Sequence, residues 1–490
     1  MNKKNTVFSS RLGFILSMMG VAIGAGNIWR FPRMVAQNGG GGFILLWLLF
    51  LLIWSIPLII VELSIGKLTR KAPIGALIRT AGPKAAWLGG FVVLVATCIL
   101  GYYSNIVGWG FSYFFYALSG KILPGNNFPE LWANHCQSWM PLSCHCLALF
   151  LAYCVIRKGV VNGIETCNKI LIPLFFLCSL ALLARAVSLP NAWEGIRLLF
   201  VFNKESLSDY KVWIEALTQN AWDTGAGWGL LLVYAGFASK QTSLVTNGAI
   251  TAITNNLISF LMAVIVFSAC ASLDSIELLG LREGVGASNI GMAFIYLPEL
   301  FTRLPHASLL SSFFSAIFFL AFSMAALSSM ISMLFLLSQT LTEFGIKKHL
   351  AESFATVTAF MIGVPSALNL QFFDNQDTVW GIALILNGMI FIYAAVSYGI
   401  SSLRKEVINT VPGDYKLKAY FDILVKFLLP LEGIFLLAWY FYEGALLPQE
   451  YWWNPFRSYN ISSLLMQWGL GGGVLFLLNR KLYTRFYLNN

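Results

Sequence analysis

A glycine-rich segment near the amino terminus carries residue types suited to binding ions inside a membrane. Residues 20–32 read GVAIGAGNIWRFP, within an apolar stretch long enough to cross a bilayer. Each of the three glycines is about 1 kcal/mol less favourable than alanine inside a helix, so the spacing predicts an interrupted helix. Asn27 and Arg30 follow directly, and polar groups at that depth are costly. Carbonyls freed at such a break can bind a cation, and freed amides can bind an anion.

The same pattern returns in the middle of the chain. Residues 222–229 read WDTGAGWG, so the Gly-Ala-Gly of residues 24–26 recurs at 225–227, beside Asp223. Two glycine-interrupted apolar segments in corresponding halves of a chain indicate a binding site near the bilayer midplane. The alternative is a pair of close helix-packing contacts, since small residues recur where membrane helices touch. Packing alone does not explain the polar residues beside the glycines.

The composition is that of a membrane protein. The chain has 490 residues, of which 58% are hydrophobic and 11% charged, whereas soluble proteins have about 25% charged residues. The net charge of +10 does not indicate a nucleic-acid partner, because lysines and arginines gather in alternate connections and at the carboxyl end. This distribution predicts a multi-pass protein of the cell inner (plasma) membrane, in contact with the lipid bilayer, with both termini in the cytoplasm. The oligomeric state is not determined.

About twelve apolar runs are long enough to cross the bilayer. We predict an all-α integral membrane protein with one transmembrane domain over residues 1–490. The predicted spans are 11–36, 41–66, 86–119, 141–156, 166–187, 211–237, 243–271, 306–341, 351–367, 377–400, 418–443 and 461–479. If the first ten spans form two halves of five, the two interrupted segments are the first members of each half.

A cluster of sulfur and imidazole groups surrounds the fourth span. It comprises His135, Cys136, Cys144, His145 and Cys146. A disulfide from Cys136 to Cys144 or Cys146 is one interpretation, and a metal site is the other, although the spacing fits no common ligand pattern well.

The motifs together resemble a known family. GNIWRFP at Gly26–Pro32 is followed by NGGGGF at Asn38–Phe43, and Tyr102-Tyr103, Asn255 and Leu327-Ser328-Ser329 occur further along. Over nearly its whole length the chain resembles the neurotransmitter:sodium symporter family, whose prototype is the bacterial leucine transporter. The resemblance implies inverted five-helix repeats over residues 11–187 and 211–400, with two additional helices over 418–479.

The resemblance implies two sodium ions, and sodium prefers hard oxygen ligands. The first would be held by the Ala22 carbonyl, the side chains of Asn27, Asn255 and Asp223, and the substrate carboxylate. The second would be held by the carbonyls of Gly20, Ile23 and Ala325 and the hydroxyls of Ser328 and Ser329. Without the resemblance, these two serines would be interpreted as helix residues bonded to their own backbone.

The resemblance also implies where a substrate binds. Its carboxylate would meet amides at the first break and the Tyr103 hydroxyl. Gly24 stands where family members that carry biogenic amines have an acid, so we expect an amino acid as substrate. Two tryptophans replace phenylalanines in the pocket, which suits an apolar or aromatic side chain. The substrate-binding residues implied are Val21, Ala22, Gly24, Gly26, Ile99, Tyr103, Trp222, Asp223, Gly225, Trp228, Ser329 and Met333.

Asp223 departs from the family pattern, which commonly has a hydroxyl residue at this position. Ser259 stands where the leucine transporter has an acid, and Trp47 replaces the tyrosine of the chloride site, while Gln219 is retained. We therefore expect Asp223 to supply the negative charge that chloride supplies elsewhere, so that transport is chloride-independent. The alternative is an aspartate that caps a helix at the break.

Charged residues predict gates on both sides of the pocket. Arg30 and Asp377 would close the outer side by a salt bridge above Trp222. Glu343 matches the acid of the cytoplasmic gate, but its usual arginine partner is Asn5 here, so Lys3 or Lys4 must replace it. We expect Glu62 to support a broken helix from behind.

The function expected from the resemblance is sodium-coupled secondary active import of an amino acid by alternating access. The alternatives are a proton-linked carrier of a non-standard zwitterion and a membrane protein that binds without pumping. No catalytic motif indicates an enzyme, because the histidines fall in loops or at the ends of spans.

Overall fold

The computed structural model describes residues 7–202, 204–273, 292–303, 307–446, 454 and 460–489. Fourteen helices in this part account for the predicted spans. They are α1 Arg11–Ala22, α2 Ala25–Gln37, α3 Gly41–Thr69, α4 Ala86–Leu118, α5 Met140–Arg157, α6 Val160–Val187, α7 Tyr210–Asp223, α8 Leu230–Gly236, α9 Leu244–Ala271, α10 Ala307–Glu343, α11 Lys348–Leu368, α12 Leu370–Tyr398, α13 Leu429–Leu446 and α14 Ile461–Leu477.

Shorter helices connect these spans. They are Pro73–Ala81, Phe128–Gln137, Ala192–Phe200, Lys204–Ser208, Leu297–Arg303, Ile400–Leu403, Tyr420–Ile423 and Asn479–Asn489. Short 3-10 or π-helical turns cover Pro83–Ala85, Leu51–Ser55, Val160–Glu165, Met292–Tyr296, Arg404–Ile408 and Leu424–Leu428. Within the described residues the structure is all-α, as predicted, with eight continuous helices long and apolar enough to cross a membrane.

The first span is broken where the glycine spacing predicts. Ile23 and Gly24 are extended, and α1 meets α2 at an angle of 54°. The Gly24 amide donates to Asn27 Oδ1 at 2.8 Å, so the Asn27 side chain caps the start of α2. The two halves have partly different neighbours, because α6 packs against α1 only, whereas α9 packs against both halves and most extensively against α2.

The second break separates α7 from α8, and both halves are bonded to α3. Gly225, Gly227 and Gly229 have φ between +71° and +82°, a region that favours glycine. Glu62 of α3 accepts hydrogen bonds from the amides of Gly227 at 2.8 Å and Leu232 at 3.1 Å. This confirms the expectation that Glu62 supports a broken helix. Asn220 of α7 donates to the Trp47 carbonyl of α3 at 2.8 Å.

Replacing Glu62 by glutamine should weaken the second break. A carboxylate accepts from both amides, whereas a glutamine side chain has one oxygen and would turn an NH₂ group towards the other donor. We expect a loss of about 2 kcal/mol of stability, measured by thermal unfolding of the purified protein. The exposed Glu130→Gln is the control, and equal melting temperatures for both variants would contradict the role assigned to Glu62.

The outer faces of the helices are apolar, as a lipid environment requires. On α3, Leu45, Leu48, Leu49 and Leu52 expose between 37% and 60% of their surface. On α6, Ile170, Leu174, Leu177 and Leu180 are similarly exposed. Large contiguous apolar surfaces of this kind mark contact with a membrane or partner. The helices that surround the breaks, α4 and α10 above all, pack extensively against each other.

The cysteine and histidine cluster forms neither a disulfide nor a metal site in the described residues. All eight cysteines are free, and no group of three or more His, Cys, Asp or Glu side chains is placed to bind a metal within the described part of the chain. The Ser112 hydroxyl donates to Cys144 Sγ at 3.0 Å, and His145 bonds Ser104 and the Phe360 carbonyl. Burial lowers the pKa of His135, in the connection outside the spans, to about 4. Cys144 and His145 are therefore packing residues between α4, α5 and α11, whereas His135 and Cys136 lie on the short helix Phe128–Gln137.

Candidate binding site at the helix breaks

Four backbone carbonyls converge on the hydroxyl of Ser329 in α10. Ser329 Oγ lies 3.1 Å from the carbonyl oxygens of Gly20 and Ile23, 3.2 Å from that of Val21 and 3.5 Å from that of Ala325. One hydroxyl proton cannot satisfy four acceptors at once. A hard cation among these five oxygens would satisfy all of them, so the residues present fit a cation.

Ser328 takes a different position from its neighbour. Its hydroxyl donates to the Ala325 carbonyl at 2.8 Å, within α10, and the side chain is fully buried. The structure therefore places the Ser329 hydroxyl at the centre of the converging carbonyls, whereas the Ser328 hydroxyl contacts only the Ala325 carbonyl among them.

A second polar cluster joins α2, α7 and α9. Asn27 Nδ2 donates to Asn255 Oδ1 at 2.9 Å and to Ser259 Oγ at 2.8 Å. The Ser259 hydroxyl in turn donates to Asp223 Oδ2 at 2.8 Å. Gly26 lies beside Asp223, since a methyl group added to Gly26 would be 3.4 Å from Asp223 Oδ1. Asn27 is 196 positions from Asp223 and 228 positions from Asn255 in the sequence, and the fold brings them together.

Asp223 has no basic partner at contact distance. It is 7% exposed, and no lysine or arginine nitrogen among the described residues lies within 4.0 Å of its carboxylate. Removing a charge from water without a counter-charge is costly. The carboxylate and the amide oxygens of Asn27 and Asn255 therefore fit a second cation.

A cavity lies between these clusters. Val21, Ala22, Gly24, Gly26, Tyr103, Trp222, Asp223, Gly225, Trp228, Ser329 and Met333 all line it, as the sequence analysis predicts for a binding pocket. Ile99 is fully buried and is absent from the described residues that line the cavity. Tyr102, Ile106, Gly381 and Leu384 line it as well, and no sequence motif singles out the last three.

Gly24 leaves room beside a hydroxyl. The Ala25 amide donates to the Tyr103 hydroxyl at 3.1 Å. A methyl group on Gly24 would lie 3.0 Å from Tyr103 Oη and 3.5 Å from Ser329 Oγ. A side chain at position 24 would therefore press against the Tyr103 hydroxyl.

The Trp222 ring lies between Arg30 and Gly381 in the wall of the cavity. The Arg30 guanidinium lies 4.2 Å from the centre of its ring, a cation–π contact. A methyl group added to Gly381 of α12 would be 2.3 Å from the far edge of the indole, so Gly381 provides the space for this large ring. Asp377 lines the same cavity, but Arg30 forms no ion pair within 4.0 Å among the described residues. The predicted outer salt bridge stays a prediction.

Adding one methyl group at Gly381 should displace Trp222. Overpacking of this kind costs about 1–3 kcal/mol, so we expect Gly381→Ala to weaken binding of the transported molecule about tenfold. Titration of the purified protein with the labelled molecule measures this. The double variant with Trp222→Phe should recover most of the affinity, and a double variant no better than the single one would exclude the proposed contact.

The inner end of α10 is bonded to the segment that follows α3. Glu343 accepts a hydrogen bond from the Ala72 amide at 2.8 Å. Lys3, Lys4 and Asn5 lie outside the described residues, so the predicted cytoplasmic partner of Glu343 stays a prediction.

A further inner contact has no counterpart in the sequence analysis. Glu165 of α6 accepts hydrogen bonds from the Ser9 amide at 2.7 Å and the Ser9 hydroxyl at 2.5 Å, and pairs with Lys169 at 2.7 Å. It therefore fixes the start of α1 against α6.

The motifs, the two breaks and the oxygen clusters agree with one family. Residues 5–145 and 137–470 match the profile of the "Sodium:neurotransmitter symporter family". The chain belongs to the sodium:neurotransmitter symporter family. It is thus a multi-pass transporter of a family that uses sodium.

Related proteins place this symporter among sodium-dependent transporters. It is 28% identical over 454 residues to the sodium-dependent transporter YhdH of Bacillus subtilis, covering 88% of this chain and 97% of that protein. A sodium-dependent transporter of Methanocaldococcus jannaschii is 33% identical over 336 residues, covering 66% and 67% of the two chains. The sodium- and chloride-dependent glycine transporter 2 of Xenopus laevis is 25% identical over 553 residues, covering 96% and 67%.

A solved structure has the same fold. The crystal structure of MhsT in complex with L-phenylalanine superposes with a TM-score of 0.76 at 26% identity, covering 88% of this chain and 99% of MhsT. The symporter therefore has the leucine-transporter fold, with inverted five-helix repeats and two additional helices. The residue boundaries of the repeats, 11–187 and 211–400, remain predictions.

Proposed function

We propose that this symporter imports an amino acid by coupling its entry to sodium through alternating access. The observation that carries the proposal is the meeting of both helix breaks at one cavity, where four carbonyl oxygens surround the Ser329 hydroxyl and Asp223, which has no basic partner within 4.0 Å among the described residues, also lines the wall. Two cation positions beside one substrate cavity allow the ions and the substrate to bind together. The protein would act in the inner (plasma) membrane with both termini in the cytoplasm.

An amino acid with an apolar or aromatic side chain suits the cavity best. Gly24 has no side chain to fill the cavity beside the Tyr103 hydroxyl and the Ala25 amide, and amides at a helix start attract an anion such as a substrate carboxylate. Trp222, Trp228 and Met333 supply an apolar lining. The relative MhsT, crystallised with L-phenylalanine, supports the same substrate class. Bound sodium would supply positive charge to the substrate carboxylate, and Asp223, Asn27 and Ser329 would hold the two ions.

Uptake into vesicles tests the proposal. Purified protein in proteoliposomes should accumulate a labelled aromatic or aliphatic amino acid when an inward sodium gradient is imposed. A thermal-shift screen of the common amino acids with and without sodium identifies which one to use, because a ligand of the native state raises stability. Uptake driven by a proton gradient alone would favour the proton-linked carrier. Binding without counterflow would favour a protein that does not pump.

Transport should not require chloride. Asp223 supplies a fixed negative charge beside the first cation position, bonded to Ser259, so a bound anion is not needed to balance the ion. Replacing chloride by gluconate should leave the initial rate of sodium-driven uptake within about twofold of its original value, since a mobile anion adds little where a fixed charge is present. Loss of uptake in gluconate would refute this assignment of Asp223.

A further inference from the structure

A buried amide on α6 has no hydrogen-bond partner in the described part of the chain. Asn168 is fully buried, and neither its Oδ1 nor its Nδ2 forms a hydrogen bond with any described residue. Buried polar groups are almost always bonded, and an unsatisfied amide inside a membrane protein is costly. Asn168 therefore needs a partner other than the protein groups around it, such as an ion or a water molecule.

The amide faces the backbone of the second cation position. A methyl group added to Gly20 would lie 2.7 Å from Asn168 Oδ1 and 3.3 Å from Nδ2. The side chain of Asn168 thus occupies the space that any residue larger than glycine would need at position 20. The Gly20 carbonyl is one of the four that converge on Ser329 Oγ, at 3.1 Å. Asn168 is therefore an uncharged oxygen donor beside a cluster already rich in oxygen.

The neighbouring charges on α6 do not compete for this amide. Glu165, one turn earlier, accepts bonds from Ser9 and Ser10 and pairs with Lys169. Lys169 is partly exposed and directed to this carboxylate. Among the described residues of α6, only Asn168 has buried side-chain nitrogen or oxygen atoms without a hydrogen-bond partner. An amide oxygen is the type of ligand that a hard cation prefers.

We propose that the side-chain oxygen of Asn168 is an additional ligand of the second sodium ion, which it would contact from the α6 side of Gly20. The inference rests on the proposed sodium coupling. It makes α6 a third helix, after α1 and α10, that holds this ion, and it gives the glycine at position 20 a function in ion binding: the absent side chain admits the amide oxygen. Release of the ion then requires separation of α1 from α6 as well as from α10.

Sodium titration of thermal stability tests the proposal without relying on transport. Sodium chloride is added to purified protein at constant ionic strength, with choline chloride as the replacement salt, and the half-saturating sodium concentration is read from the melting temperature. Asn168→Ala should raise this concentration about tenfold, as loss of an outer ligand contact to a metal does. Asn168→Asp, which keeps the oxygen and adds a negative charge, should lower it below the value of the original protein.

A matched variant separates ligation from packing. Asn387 of α12 is also fully buried with both amide atoms unbonded among the described residues, so Asn387→Ala should change stability in choline chloride but leave the half-saturating sodium concentration unchanged. If Asn168→Ala behaves in the same way, the amide binds only water and the proposal is wrong. If the original protein shows no stabilisation by sodium at all, the proposed function fails together with it. A sodium-responsive protein with an unaffected Asn168→Ala variant overturns this inference alone.

Discussion

Asp223→Asn is expected to abolish sodium-driven uptake. The carboxylate is buried with no basic group within 4.0 Å among the described residues, so a cation beside it has no other fixed negative charge to balance it. Removing one partner of a buried charge pair costs about 3–5 kcal/mol, which corresponds to a loss of about 100-fold or more in sodium affinity. Initial uptake rates at a fixed sodium gradient measure the effect.

In the absence of sodium, the thermal stability of Asp223→Asn should stay equal to or exceed that of the original protein, although its uptake is lost. In choline chloride the original protein holds a carboxylate without a counter-charge, which is unfavourable, so Asp223→Asn should melt at an equal or higher temperature there and gain less stability from sodium than the original protein does. Ser259→Ala removes the hydroxyl that bonds both Asp223 and Asn27 but keeps the carboxylate, so as the control it should retain more of the uptake than Asp223→Asn does. Undiminished uptake by Asp223→Asn would show that the carboxylate does not balance the ion and is a helix cap.

Ser329→Ala is expected to cause the second large loss. The variant leaves the carbonyls of Gly20, Val21 and Ile23 without the one hydroxyl that faces all of them. The cation loses a ligand, and in its absence the carbonyls lose their only described donor. We expect the half-saturating sodium concentration for uptake to rise about tenfold or more, measured as the sodium dependence of labelled amino-acid uptake.

Ser338→Ala provides a matched comparison on the same helix. Ser338 is buried in α10 and its hydroxyl has no hydrogen-bond partner among the described residues. Its replacement removes the same atoms far from the converging carbonyls, so the sodium dependence should stay that of the original protein. If the two serine variants shift the sodium dependence equally, Ser329 acts through general packing of α10 and not through the ion.

The two breaks and their polar residues could be predicted from the sequence because their signal is local. Gly20, Gly24 and Gly26 weaken one helix within seven residues, and the second glycine cluster does the same to another. The positions of Asn27 and Asp223 beside them follow from the chain itself. The predicted span boundaries were correct to within a few residues for most helices, since apolar runs end where charged connections begin.

Contacts between helices that are distant in sequence could not be predicted in this way. Gly381 admits the Trp222 ring, and Asn168 faces Gly20, only because α12 and α6 have particular rotations about their axes. Hydropathy fixes where a membrane helix lies but says little about which face meets a neighbour. Glu165 shows the same limit, because its partner Ser9 is 156 positions away. The family resemblance placed Ile99 in the pocket, and the described cavity lining does not include it.

The two broken spans are anchored differently, and this decides where the molecule can bend. Asn220 and Glu62 form hydrogen bonds that attach both halves of the second broken span to α3. The single helix α3 therefore holds the two halves in a fixed relative orientation. The halves of the first span both contact α9 and α10, but only α1 is also held by α6, through Glu165, while Asn27 links α2 to α9. Under the proposed alternating access, a change from an outward-facing to an inward-facing shape would bend the chain at Ile23–Gly24, and ions bound there would have to leave when that bend opens.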